Sequence, residues 1–350
     1  MNDPFRDIYG RDCEVVGEAP GRVNLIGDHT DYAGGFCLPM PLAHITEVAM
    51  ATAPSWRATS LTNGETLSFD PDGPPRGDWT DYIAGPVREL KKSGIAVLPA
   101  DVLVRSSVPQ GAGVSSSAAL EVAVIRAALA LADEAMADTD VARAAQRAEN
   151  QYCGVQCGIL DQMACAVGRA GEALLLDCRS NETRSVALPP AFHFAVIHCG
   201  QERRLVDGAY NERRASVEAA AKALGVAALR DASMTMLDRL GDQQIRKRAR
   251  HVVSENERVL AAVAALESAD TRQFGRLMLE SHRSLAEDFE VSVPALDRLV
   301  ASAVAAGAYG ARLTGAGFGG CIVALIPPGD VSAWWARLSA DNPNAWVVQL

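Results

Sequence analysis

The sequence predicts an α+β protein that is large enough for two domains. Short apolar runs alternate with turn residues over 13–70, which is typical of several β-strands. Apolar residues then recur every three to four positions over 208–224, 243–267 and 270–286, which predicts helices. Strand character returns from 312 to the end, and this order of strands and helices favours the α+β class. The 350 residues exceed the length at which a single hydrophobic core stops growing, so we expect two domains.

The middle of the chain joins these regions through alternating helices and strands. The predicted elements are a helix at 79–93 ended by Gly94, a strand at 101–107, an alanine-rich helix to about Asp138, a helix at 140–153, and strands at 172–178 and 192–199. A boundary near 190 divides the chain into an N-terminal lobe of residues 1–190 and a C-terminal lobe of residues 191–350.

Composition and charge limit the classes of partner. The chain has 33 basic and 43 acidic residues, a formal charge of −10, which disfavours nucleic acid or an anionic membrane as a partner. The N-terminus MNDPFRDIYG lacks the basic and apolar regions of a secretory signal. The longest apolar window contains Glu121 and Arg126, which is atypical of a membrane span. We therefore expect a cytoplasmic protein without a membrane or nucleic-acid partner.

A first glycine-rich loop, PQGAGVSSSAAL at 109–120, follows a predicted strand and opens a predicted helix. Gly111 and Gly113 permit positive φ, and Ser115 or Ser116 is suited to the N-cap of the helix. Free N–H groups at the start of a helix attract anions, and phosphate is a common ligand there. The segment lacks the Gly-Lys-Ser/Thr of a Walker A loop and the third glycine of a Rossmann fingerprint. An ordinary strand-to-helix turn has the same pattern, so this loop alone leaves both interpretations open.

A second glycine-rich loop, RLTGAGFGGC at 312–321, precedes an apolar strand. Such glycine density costs chain entropy and indicates that the backbone approaches another group closely, although a bulged hairpin would use the same residues. Two glycine loops from distant parts of the chain fit one phosphate group held from two sides.

The segment GRVNLIGDHTDYAGGF at 21–36 concentrates polar side chains among glycines. Carboxylates accept hydrogen bonds from hydroxyls, whereas His and Arg donate, so this mixture suits recognition of a polyol. A polar surface loop is the alternative, and each residue taken alone fits a turn or a satisfied core position. The cluster comprises Arg22, Asp28, His29, Asp31 and Tyr32.

Two further carboxylates are candidate site residues, because one lies beside a glycine and the other near the end of a predicted helix. Asp161 lies in GILDQ, and Glu149 lies twelve residues before it. Taken alone, Asp161 fits a cap or turn residue and Glu149 a solvated helix charge. Their interpretation depends on the motifs around them.

Together these motifs resemble the GHMP small-molecule kinases. The blocks at 21–36, 109–120 and 312–321 correspond to the three motifs of that superfamily, and the first block is specific to its galactokinase branch. Further similarity lies in ENQYCGVQCGILDQ, LVDGAYNERR, RARHVVSE, DFEVSVPALD and ALLLDCRS, so the resemblance covers nearly the whole chain.

The resemblance implies a fold, a reaction and its cofactors. The fold would be the two-lobed α+β GHMP kinase fold, with a mixed sheet in the N-terminal lobe, a ferredoxin-like C-terminal lobe and an active site in the cleft between them. The reaction would be transfer of the ATP γ-phosphate to the anomeric hydroxyl of a hexose, with Mg²⁺ as the metal ion. D-galactose would be the favoured acceptor, and the protein would be a monomer whose partners are the sugar and ATP.

The resemblance also assigns roles to residues. Asp161 would match the catalytic aspartate, which either abstracts the anomeric proton or orients the hydroxyl, and Arg22 its partner arginine. Mg²⁺ would be held by Glu149 and a serine of 115–117, for which Ser116 is our assignment. The substrate-binding residues would be Arg22, Asp28, His29, Asp31, Gly158, Asp161 and Tyr210. The ATP-binding residues would be Trp79, Gly111, Ala112, Gly113, Val114, Ser115, Ser116 and Ser117.

Asp28 departs from the family pattern, which has glutamate there. Its carboxylate is shorter by about 1.5 Å, the length of one carbon–carbon bond. This shift would loosen or change specificity for the sugar, or a water molecule would fill the gap and leave galactose preferred. The alternatives to galactose are galacturonate, N-acetylgalactosamine and mannose. A non-catalytic regulator that binds sugar and ATP is the remaining alternative, but the presence of Asp161, Arg22 and the phosphate loop favours the enzyme.

Overall fold

The computed structural model describes residues 1–201, 206–329 and 331–350. The strands are β1 (Val15–Asn24), β2 (Phe36–Cys37), β3 (Pro39–Thr52), β4 (Arg57–Ser60), β5 (Thr66–Ser68), β6 (Ala100–Ser106), β7 (Glu172–Asp177), β8 (Thr183–Ala187), β9 (His193–His198), β10 (Gly310–Leu313), β11 (Cys321–Ile326) and β12 (Trp346–Gln349). The α-helices are α1 (Asn2–Tyr9), α2 (Asp81–Lys92), α3 (Ser116–Leu131), α4 (Asp138–Ala148), α5 (Leu160–Val167), α6 (Val206–Leu224), α7 (Gln243–Glu267), α8 (Thr271–Glu287), α9 (Pro294–Ala305) and α10 (Val331–Ala340). The mixture confirms the predicted α+β class.

The first compact unit contains Met1–Arg22, Pro41–Pro109 and Ser115–Val167. Its five-stranded sheet has the order β1-β3-β6-β4-β5, with β3 antiparallel and β4 parallel to β6, so the predicted mixed sheet is confirmed. The alanine-rich helix α3 lies close to β1 at Gly17. A Cβ at Gly17 would lie 2.3 Å from the carbonyl oxygen of Ala123, so this approach requires glycine.

The second compact unit contains Val23–Met40, Gln110–Val114 and Gly168–Leu350. Its four-stranded sheet is antiparallel and has the order β10-β11-β9-β12. In chain order, β9 is followed by the helices α6 to α9, then by β10 and β11, the helix α10 and finally β12. This is the ferredoxin-like arrangement. A separate sheet has the order β2-β7-β8. The ferredoxin-like prediction is therefore confirmed, and the division at residue 190 stays a prediction.

Two predicted helices end differently in the structure. The alanine-rich helix α3 ends at Leu131 rather than near Asp138, because Asp133 has a φ of 53°, which a right-handed helix cannot contain. The helix predicted at 140–153 is α4, which ends at Ala148 and is followed by a π-helical turn at Glu149–Cys153. Such turns are rare and frequently lie at functional sites. Among the described residues, no helix has both the length and the apolar character that crossing a membrane requires.

Candidate active site

The loop that precedes α3 has an unusual backbone. Gly111, Gly113 and Ser115 have φ values of 70°, 80° and 62°, so every second residue is left-handed. Alternation of right- and left-handed residues turns successive N–H groups to the same side and forms an anion-binding nest. Ser115 is the N-cap of α3, but its Oγ makes no capping bond and is buried without a partner among the described residues. The loop can therefore hold a phosphate group by its backbone and at the start of a helix.

Glu149 is the first residue of the π-helical turn, and its carboxylate is almost fully buried. Gln162 donates to its Oε2 at 2.5 Å, and the Cys157 thiol donates to the same oxygen at 3.4 Å. The pKa of Glu149 is raised to about 7, mainly by burial and secondly by the negative charge of Asp161. Hydrogen bonds to the carboxylate, including one from Ser117, act in the opposite direction. A cation placed beside Glu149 would offset this unfavourable burial of its charge.

The oxygen donors near the start of α3 suit a small hard cation. Mg²⁺ is usually bound by one or two carboxylates, together with hydroxyl, water and substrate phosphate oxygens. In the described parts of the chain, no cluster of three His, Cys, Asp or Glu side chains could enclose a metal ion. Glu149 beside the Ser117 hydroxyl therefore fits an ion that takes its other ligands from a nucleotide and water. Which of the serines at 115–117 is the ligand stays open.

Arg22 and Asp161 form a close ion pair. Arg22 Nε and Nη2 lie 2.9 and 2.6 Å from Asp161 Oδ1, which accepts both hydrogen bonds. The Arg22 side chain is 6% exposed and that of Asp161 32% exposed. Asp161 is the second residue of α5, so its backbone is fixed by a helix. The carboxylate is therefore oriented by a buried cation and still accessible to a substrate.

Asp28 is held inside the second unit. Its Oδ2 lies 2.6 Å from Arg312 Nη2, and its Oδ1 accepts a hydrogen bond from the Gly315 N–H at 3.0 Å. Both side chains are buried, and Arg312 is 0% exposed. The motif residue Asp28 is thereby joined to the third glycine motif. Its role as a sugar ligand stays a prediction.

His29 lies in a strained aromatic cluster. Its φ is 63°, which non-glycine residues rarely adopt. The Tyr32 hydroxyl lies 2.9 Å from Nδ1, and Nε2 lies 3.2 Å from the Ala316 carbonyl oxygen, which can only accept. Burial lowers the pKa of His29 to about 3, so the ring is neutral at pH 7. The centroid of the His29 ring lies 6.0 Å from that of Tyr32 and 5.9 Å from that of Tyr210. His29 and Tyr32 of the first motif therefore lie close to Tyr210 of α6.

The remaining predicted residues are divided between the two units. In the first unit, Gly158 is buried shortly before α5, and the Trp79 indole N–H donates to Glu65 Oε2 at 3.0 Å. In the second unit, Asp31 begins a single 3₁₀ turn and is partly exposed. The loop residues Gly111–Val114 are grouped with the second unit, and Ser115, Ser116 and Ser117 with the first.

Sequence reasoning assigned no role to a buried polar network behind Asp28. Glu255 Oε1 accepts from the Gly27 N–H at 3.0 Å and lies 3.9 Å from Arg312 Nη2. His251 Nε2 donates to the Asp28 carbonyl oxygen at 3.1 Å. Charges from Arg258, His251 and Arg312 lower the pKa of Glu255 to about 2 against the effect of burial. Glu255 lies on α7 between the buried residues Val252 and Val259, and His251 directly precedes Val252, but the sequence carried no signal for the network because charged residues are normally exposed.

Three family models match the chain. They are the galactokinase galactose-binding signature at residues 3–52, the GHMP kinases N terminal domain at 81–169 and the GHMP kinases C terminal domain at 262–344. A galactokinase of Roseiflexus sp. (strain RS-1) is 44% identical over 95% of this chain and 89% of its own length.

The chain belongs to the galactokinase family.

Solved structures agree with this assignment. The structure of Lactococcus lactis galactokinase complexed with galactose matches with a TM-score of 0.93 and 31% identity, over 100% of this chain and 97% of that one. Methanococcus jannaschii mevalonate kinase matches with a TM-score of 0.72 and 18% identity, over 95% of this chain and 97% of that one, which shows a shared fold. The resemblance seen in the sequence motifs is therefore confirmed, whereas the roles of individual residues stay predictions.

Proposed function

We propose that this galactokinase-family chain transfers the γ-phosphoryl group of ATP to the C1 hydroxyl of D-galactose, giving α-D-galactose 1-phosphate. The observation that carries the proposal is the Arg22–Asp161 pair, a partly exposed carboxylate fixed by a buried guanidinium. The 44% identical galactokinase and the galactose complex at 31% identity support the choice of sugar and reaction.

Asp161 acts on the acceptor hydroxyl. Its carboxylate accepts the hydrogen bond of the C1 hydroxyl and either takes its proton or orients the oxygen for attack, and a general base contributes about 10²–10⁴ to a rate. Arg22 holds this carboxylate in place. Its guanidinium also stabilises the charge that develops on the transferred phosphoryl group. Phosphoryl transfer depends mainly on positioning and charge stabilisation, which such a pair provides.

The nucleotide is held by the glycine loop and the residues around it. The nest at Gly111–Ser115 and the start of α3 bind phosphate oxygens, and Trp79 contacts the adenine ring. Glu149 and a serine of the 115–117 run, with Ser116 as our assignment, supply the oxygen donors that Mg²⁺ prefers. The chemistry that the ion supplies there is neutralisation of charge on the β- and γ-phosphates.

The sugar is recognised by the first motif and its neighbours. His29, Asp31, Tyr210 and Gly158 form the part of the site that faces the sugar hydroxyls. One observation favours a sugar other than galactose as the phosphoryl acceptor. The short side chain of Asp28 pairs with Arg312, so its carboxylate is held toward that guanidinium. The same chemistry on galacturonate, N-acetylgalactosamine or mannose is therefore the competing function. We also infer a cytoplasmic monomer whose partners are the sugar and ATP.

The test is ADP release with Mg²⁺ and ATP across galactose, 2-deoxygalactose, talose, glucose, mannose, N-acetylgalactosamine and galacturonate. NMR of the product locates the phosphate. Galactose ahead by tenfold or more, with the phosphate on C1, is the expected result. A different leading sugar would replace galactose as the acceptor and make Asp28 the first residue to test for altered specificity. ATP binding without turnover of any sugar would overturn the enzyme in favour of a sugar-sensing regulator.

A further inference from the structure

Three side chains without a common sequence motif meet behind the proposed magnesium site. Glu121 lies on α3, Glu149 begins the turn after α4, and Gln162 lies on α5, all within the first unit. Glu121 and Gln162 are 0% exposed and Glu149 is 6% exposed. Three helices thus bring two carboxylates and one amide into the same buried region.

The Gln162 amide is placed between the two carboxylates. Its Nε2 donates to Glu149 Oε2 at 2.5 Å, and its side chain also lies beside the buried Glu121 carboxyl. Both Glu121 oxygens are buried beyond the hydrogen-bond range of any described residue. The charges that act on Glu121 are those of Glu149 and Asp161, both of the same sign as its own. Burial, together with these like charges, therefore raises the pKa of Glu121 and disfavours its ionised form.

We propose that Gln162 positions the Glu149 carboxylate for Mg²⁺ and that the buried side chain of Glu121 supports Gln162 as its polar neighbour. The inference rests on the proposed function, because it requires Glu149 to hold the ion. Among the residues that the structure describes, no cation pairs with Glu149 to fix its rotamer. Its other neighbour at Oε2 is the weakly donating Cys157 thiol at 3.4 Å. The amide of Gln162 is accordingly the strong donor at this oxygen. Partners of metal-ligating carboxylates typically change metal affinity by about 10–100-fold when they are removed.

The roles of the two residues lead to different substitutions. Gln162→Leu replaces the amide with an apolar side chain of similar size. The hydrogen bond to Glu149 is lost, so the carboxylate is no longer held in its orientation. Glu121→Gln keeps the shape and the polarity of the side chain beside Gln162, whereas Glu121→Leu removes the polarity. The matched control is Gln151→Leu, since Gln151 is exposed and only two positions after Glu149.

The experiment measures equilibrium binding of a non-hydrolysable ATP analogue by calorimetry, with and without Mg²⁺. We expect Gln162→Leu and Glu121→Leu to lower the Mg²⁺-dependent gain in analogue affinity by about 10–100-fold, and Glu121→Gln to change it by less than about threefold. Galactose affinity measured without nucleotide should stay unchanged in every variant, which reports that the fold is intact. The Mg²⁺ concentration for half-maximal activity should rise in parallel in the two leucine variants.

Two outcomes overturn the inference. Unchanged Mg²⁺ dependence in Gln162→Leu shows that Glu149 needs no such support, and loss of Mg²⁺ dependence in Glu121→Gln shows that Glu121 acts as a charged group. Failure of the proposed function is distinguishable, because it appears in the wild-type protein as absence of phosphorylation of any sugar with Mg²⁺ and ATP.

Discussion

Asp28→Asn removes one negative charge from a buried ion pair and keeps the shape of the side chain. The Gly315 N–H can still donate to the amide oxygen, so the main loss is the charge opposite Arg312 Nη2 at 2.6 Å. Removing one partner of a buried pair costs about 3–5 kcal/mol, because the other charge is left without compensation. Glu255 Oε1 remains 3.9 Å from the same guanidinium, which places the expected cost near 3 kcal/mol.

Scanning calorimetry measures this loss as a change in Tm. For a unit of roughly 200 residues, each kcal/mol changes the Tm by about 2–4 °C, so we expect a decrease of about 6–12 °C. Asp341→Asn makes the same chemical change at an exposed position of the second unit and should change the Tm by no more than about 2 °C. The double variant Asp28→Asn/Arg312→Met removes both charges and should recover part of the loss. If the Tm of Asp28→Asn decreases by less than about 2 °C, the charge of Asp28 does not stabilise the fold through Arg312.

Three further predictions follow from the site and the fold. Asp161→Asn should leave ATP affinity unchanged and reduce kcat by about 10²–10⁴, and a variant that keeps more than about a tenth of the wild-type rate would contradict the proposed role. Burial lowers the pKa of His251 to about 4, so the unfolded chain takes up this proton as pH falls from 6.5 to 4 while the folded chain does not. The free energy of unfolding should therefore fall by up to about 1.4 kcal/mol for each pH unit below 6.5 because of this imidazole. Urea unfolding between pH 7 and 4.5 measures this dependence, and His251→Gln should remove the part that His251 contributes. Gly17→Ala should destabilise by about 1–3 kcal/mol, since its Cβ would lie 2.3 Å from a helix carbonyl oxygen, whereas Gly208→Ala, exposed on α6 and without a close neighbour, should not destabilise.

Periodicity predicted the long helices because each buries one face. The helix expected at 243–267 is α7, Gln243–Glu267, whose N-cap Asp242 accepts from the N–H groups of Gln244 and Ile245. The early end of α3 was missed, because the backbone conformation of Asp133 interrupts a run of residues with good helix propensity. The π-helical turn at 149–153 was also missed, since one extra residue in a turn leaves no mark on the apolar pattern.

The site was predictable where a backbone requirement selects glycine and where charged residues crowd a short segment. The nest before α3 belongs to this class, whereas the Arg22–Asp161 contact was expected only from the family resemblance. The charges of Arg312, Glu255 and Glu121 were not predictable, because a charged residue is normally exposed and only tertiary packing shows that these are buried. Their cost of burial is offset by partners that lie far away in the sequence, such as Asp28 for Arg312.

Backbone strain links the three glycine-rich motifs. Each contains one non-glycine residue with positive φ: His29 at 63°, Ser115 at 62° and Phe318 at 60°. A left-handed residue with a Cβ costs about 1–2 kcal/mol, and glycine, abundant in all three motifs, would remove that cost. Strain of this kind persists where the side chain is needed in that orientation, and it clusters at functional sites. The strain therefore indicates that these three side chains are needed in the orientations that a left-handed backbone gives them, which supports the proposed role of the motifs in substrate binding.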